Sequence, residues 1–129
     1  MSLWQEHEFE NKLRTILRDV PDFLETHHFG RPFLTAYQIA IEFAKLFPET
    51  TALLGLPIGG KGIHQKNSLA QYLARELSRR IKNREIVNIE GRFLSNLHLN
   101  DISFNQADDI IYSSLTDTQF TLSMFRLDE

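Results

Sequence analysis

"NSLAQYLARELSRRIKNREIVNIEGRFLSN", residues 67–96, changes its apolar period part-way along, and that change sets the reading of what lies on either side. Leu69, Tyr72, Leu73, Leu77 and Ile81 recur at helical spacing, with Asn67 or Ser68 in front of them as an N-cap. After Glu85 the period falls to two: Val87, Ile89 and Phe93 alternate with polar or glycine positions, as in a strand with one buried face. A helix therefore runs to about Asn83 and a strand follows it.

Upstream, Phe9, Leu13, Ile16, Leu17 and Val20 predict a helix between Leu3 and Val20, which Pro21 ends. "DFLETHHFGRPF" reads as a connection, and Thr35 then caps a second helix whose apolar stripe is Ala36, Ile39, Ala40, Phe43 and Phe47, stopped by Pro48. Residues 49–66 hold four Gly and one Pro and read as a long connection, with room for an apolar turn through Leu53, Leu54, Leu56 and Ile58. Downstream, "LHLNDISF" alternates again, and with "LSN" before it the segment is expected to close a β-hairpin with residues 87–93. "NQADDIIYSSL" fits a short helix or a strand, and "TQFTLSMFRL" alternates Phe120, Leu122 and Met124 as a last strand. The fold expected is α+β: three helices followed by a β-hairpin in residues 1–104, then an acidic, strand-containing C-terminal extension in 105–129. That extension is expected to pack on the same domain or on a dimer partner.

The chain of 129 residues has the length of one domain and is large enough for a core without staples. It contains no Cys, so disulfides, thiolate nucleophiles and cysteine zinc sites are excluded. No apolar run approaches the roughly 20 residues of a membrane span, and "MSLWQEHEFE" is acidic where a signal peptide is basic. A soluble, cytoplasmic protein without membrane contact is the expectation.

Charge is strongly segregated. Residues 1–34, 35–58, 59–92 and 93–129 carry net −2, −1, +5 and −5. The basic block has the footprint that a polyanion requires. It is equally the complement of the acidic tail, within one chain or across a dimer. On the helix of residues 69–82, Gln71, Arg75, Ser78 and Lys82 stand at i, i+4, i+7 and i+11 and share one face, which Arg79 flanks. Gln, Arg and Ser can bond base edges while Lys and Arg hold phosphates, yet a surface helix is polar outside in any protein. Before this helix, "IGGKGIHQKNS" joins Gly59, Gly60 and Gly62 with Lys61 and Lys66. Its spacing is not that of a nucleotide-binding P-loop, but a Gly-rich turn at a helix start aims N–H groups and the helix dipole at an anion. The same glycines would also serve a tight turn into the helix.

Three helices, a basic third helix and then a hairpin resemble, in order and charge, the winged-helix variant of the helix-turn-helix class over about residues 3–104. The resemblance implies a third helix in the major groove and a hairpin forming the wing. By that analogy Gln71, Arg75, Ser78, Arg79 and Lys82 contact nucleic acid, Arg92 reaches the backbone from the wing, and a homodimer matches two half-sites. Duplex DNA is expected rather than RNA.

Catalytic signatures are missing. His7, His27, His28, His64 and His98 form no H-E-x-x-H pattern, Asp108 and Asp109 with Asp101 and Asp117 read as helix-start or solvated carboxylates, and no G-x-S-x-G is present. The expectation is a non-catalytic nucleic-acid-binding domain without metal or cofactor. A protein-interaction or assembly module, its basic face on an acidic partner or on the acidic tail, is the alternative. An enzyme would require His64 and a carboxylate brought close to Lys61.

Overall fold

The computed structural model of the chain describes residues 2–22, 29–59, 68–99, 102–107, 109–112 and 122–128. In chain order they form helices α1 (Leu3–Glu6) and α2 (Phe9–Arg18), the short strand β1 (Leu34–Thr35), and helices α3 (Ala36–Leu46), α4 (Pro48–Leu54) and α5 (Leu69–Lys82). Strands β2 (Ile89–Leu94), β3 (Ser103–Gln106), β4 (Asp109–Tyr112) and β5 (Leu122–Leu127) follow. The class is α+β, with antiparallel sheets. No helix among the described residues is long and apolar enough to cross a membrane.

The predicted first helix is broken in two. Glu8 takes a left-handed conformation at φ 51, which reverses the chain so that Trp4 lies stacked on Phe9, ring centroids 5.3 Å apart. Phe9 in turn stacks on Phe43 of α3 at 5.3 Å and meets the edge of Tyr72 of α5 at 5.5 Å. This fully buried ring therefore joins α1, α2, α3 and α5. The α3 start follows its sequence signal: Thr35 accepts from the Gln38 N–H while the Gln38 side chain accepts from the Thr35 N–H, a capping box. Pro48 does end the second helix, but it also opens the next. It occupies the first position of α4, where a missing N–H costs nothing, and Gly55 at φ 64 closes that helix. The first six residues of the expected long connection, 49–54, are thus helical.

The strand pairing departs from expectation. Residues 87–93 were expected to pair with 97–104, but β2 pairs with β5, from Ile89 opposite Leu127 to Leu94 opposite Leu122. β5 also pairs with β1, Leu34 opposite Phe125, so the sheet order is β1-β5-β2. β3 and β4 make their own two-stranded ribbon, which makes Asp109–Tyr112 of the ambiguous segment a strand. The physical reason lies in what each candidate brings to the core. β5 supplies Leu122, Phe125 and Leu127, all buried, whereas no residue of β3 or β4 is fully buried. The chain after β2 also turns away: Leu97 donates to Ser95 Oγ, and His98 is left-handed at φ 61. Within β5 the buried residues are not the predicted set. Phe125 and Leu127 on one face and Leu122 on the other are buried, while Met124 is half-buried and Phe120 lies outside the described residues.

Arg126 fastens this sheet from the opposite face. Its guanidinium lies 2.8 Å from the carboxylate of Glu90, the residue directly opposite on β2. It also donates to the carbonyls of Phe29 and Arg31, and it covers the Phe33 ring at 4.6 Å. One side chain thereby links β2, β5 and the segment leading into β1.

Phe9→Ala is expected to lower stability by about 3–5 kcal/mol, since it empties the point where four helices meet. Thr35→Ala, which removes only the cap, is expected to cost about 1 kcal/mol. Urea denaturation of both variants, followed by circular dichroism, checks the difference.

Candidate nucleic-acid interface

Burial of Leu69, Ala70, Leu73 and Leu77 fixes the rotation of α5. The opposite face then points to solvent, and Gln71, Arg75, Ser78, Arg79 and Lys82 are all exposed on it. Their electrostatic states differ. Arg79 is held by Glu76 at 2.9 Å. Arg75 lies over the Tyr72 ring at 5.9 Å, and among the described residues neither Arg75 nor Lys82 has a carboxylate partner. Arg80 is not part of this face. Only 12 % exposed, it pairs with Glu76 and Glu85 and covers Trp4 at 4.6 Å, so this member of the basic block serves the fold.

Arg92 projects from β2 with its side chain 62 % exposed, 3.3 Å from Glu90, and donates to the Gly91 carbonyl at 2.8 Å. It is brought close to the end of α5. A cleft of about 320 Å³ lies between α5 and the sheet, lined by Ser78, Ile81 and Lys82 on one side and by Gly91, Arg92, Phe93, Ser123 and Phe125 on the other. Ser78, Lys82 and Arg92 therefore share one concavity. Gln71 stands away from it, about 16 Å along the axis from Lys82 at the α-helical rise, and lines a smaller hollow with Ala74 and Ser123.

The start of α5 is already satisfied. Leu69 N–H donates to the Pro57 carbonyl at 2.7 Å, Ala70 N–H to Ile58 at 3.0 Å and Tyr72 N–H to Ser68 at 2.9 Å. Gln71 N–H donates to Ser68 Oγ at 3.1 Å. The N–H groups of the first three helical residues, Leu69, Ala70 and Gln71, are thus taken, and an anion at this helix end would have to displace one of these partners. Gly59 serves the turn instead: at φ +124 it lies so close to Ser68 that a Cβ would stand 2.9 Å from the hydroxyl. Lys61, Lys66 and His64 lie outside the described residues, as do His27, His28, Asp101, Asp108 and Asp117. Among the described residues no three His, Asp or Glu side chains converge as a metal site.

The described part of the acidic tail does not cover the α5 face, because β5 is an internal strand of the sheet. Phe93, like Val87 of the same alternating set, is exposed where the period of two predicts burial. Counted with the inward-facing set, it is 68 % exposed and forms a wall of the cleft. Comparison with known proteins adds nothing to this geometry: no family model, no curated protein and no solved structure matches the chain.

Tyr72, at the flank of this face, has its phenol pushed above the ordinary 10.0 by burial first and by the nearby Glu76 carboxylate second. The folded state therefore holds this proton more tightly than the unfolded chain. The stability involved is fully present below the ordinary value and is lost as pH rises through the folded one. Tyr72→Phe removes the effect, so the stability of the wild-type protein relative to this variant is expected to decline as pH rises above about 10, measured by urea midpoints.

Proposed function

We propose that this chain is a non-catalytic, winged-helix-like nucleic-acid-binding domain, with duplex DNA rather than RNA as its ligand. In this reading α5 enters the major groove and the β2–β5 pair is the wing. The observation that carries the proposal is the solvent-facing row Gln71, Arg75, Ser78, Arg79 and Lys82, with Arg92 beside its end and no described part of the acidic tail over it. Gln71 and Ser78 are assigned to base edges, and Arg75, Arg79, Lys82 and Arg92 to phosphates. The helix order, the short strand before α3 and the antiparallel β1-β5-β2 sheet support the winged-helix arrangement. Lys61 and Lys66 remain assigned as further phosphate contacts, and a homodimer would present two such helices to two half-sites.

A protein-interaction module is the second reading, favoured by one observation. The outward face of the β3–β4 ribbon carries Ile110 and Tyr112, both exposed. There the basic face would meet an acidic partner.

Anisotropy titration of a labelled mixed-sequence duplex over a range of salt separates the two. The six phosphate contacts assigned above give a log–log salt slope of roughly −5.4. In Arg75→Ala/Arg79→Ala/Lys82→Ala the slope is expected to fall to roughly −2.7, with stability changed by less than about 1 kcal/mol because all three side chains are exposed. An unchanged slope would remove α5 from the interface.

A further inference from the structure

We propose that the cleft between α5 and the sheet seats an unpaired base, so that the preferred ligand is a duplex carrying a single-stranded extension. The inference rests on the nucleic-acid reading and deepens it. Phe93 is the first ground. Its side chain leaves β2 on the same face as Gly91, opposite Ser123 of β5, so no large residue stands across the strand pair from it. The ring is 68 % exposed and meets no other ring among the described residues. An exposed aromatic face beside cations is how single-strand binders hold bases, because stacking requires a face that paired bases present only at a duplex end.

The floor of the cleft is the second ground. Gly91 keeps it open: a Cβ there would stand 3.3 Å from the Phe125 ring and fill the space between α5 and the strand. With Ile81 and Phe125 the floor is apolar, suited to a planar heterocycle, and about 320 Å³ falls at the small end of ligand-sized cavities.

The rim is the third. Lys82, without a carboxylate partner among the described residues, stands at the α5 side of the cleft, while Arg92 borders it from β2 with its guanidinium directed to Glu90 on the outer face of the sheet. Lys82 is placed to meet a phosphate beside the base, while the Ser78 and Ser123 hydroxyls are available to its polar edge.

The test compares a blunt mixed-sequence duplex with the same duplex bearing an oligothymidine extension, by anisotropy, using the intact chain, Phe93→Ala and Phe93→Tyr. Wild type is expected to bind the tailed probe more tightly. Phe93→Ala should weaken that binding roughly 5- to 150-fold, while Phe93→Tyr retains it and the blunt probe changes less than about twofold. Equal affinity of wild type for both probes, or equal loss on both in Phe93→Ala, overturns the base seat while leaving duplex binding intact. Failure of wild type to bind either probe overturns the nucleic-acid reading itself.

Discussion

The antiparallel insertion of Leu122–Leu127 between β1 and β2 is the constraint on which the rest of this structure depends. β1 is two residues long and β2 is an edge strand, so neither has a partner until the C-terminal segment returns. That return costs loop-closure entropy before any contact rewards it. The burial of Phe125 and Leu127 against the helices, and the grip of Arg126 on Glu90, are what offset it. The insertion also sets the distance between α5 and the sheet. Phe125 lies under Gly91, Ile81 lies over it, and the cleft opens beyond that contact.

Charge is divided by location more finely than the block totals indicate. Arg80 and Arg126 are largely buried, paired and stacked on aromatic rings, and they hold elements together. Arg79 and Arg92 are exposed but lean on a neighbouring carboxylate, contacts of little energy that an incoming phosphate can replace. Arg75 and Lys82 have no such neighbour among the described residues. A single basic segment thus provides both structural and available cations. Helix rotation decides which is which.

Local signals were legible in the sequence and distant ones were not. Thr35, Ser68 and the helical spacing of 69–82 act within one turn of chain, and the elements they mark appear where they were read. Pairing was not legible, because segments 87–93, 97–104 and 118–127 all alternate; period two specifies a face and leaves the partner open. Phe93 shows a related limit. Alternation assigned it correctly to the side of the sheet that faces the helices, but it carries no information on how far the helical layer extends. The break at Glu8 was hidden too, since a left-handed Glu leaves no compositional mark.

The contacts between Pro57–Gly59 and Ser68–Ala70 have a consequence for how the chain tolerates change. Two backbone hydrogen bonds and the close approach of Gly59 to Ser68 clamp the two sides of the intervening stretch to each other. α5 is therefore positioned by its neighbours in space, independently of the number of residues between 59 and 68. Each doubling of that stretch adds only about 0.6 kcal/mol of closure entropy. The register of α5 is therefore set by the two anchors themselves, and a change of length between them is a small entropic matter.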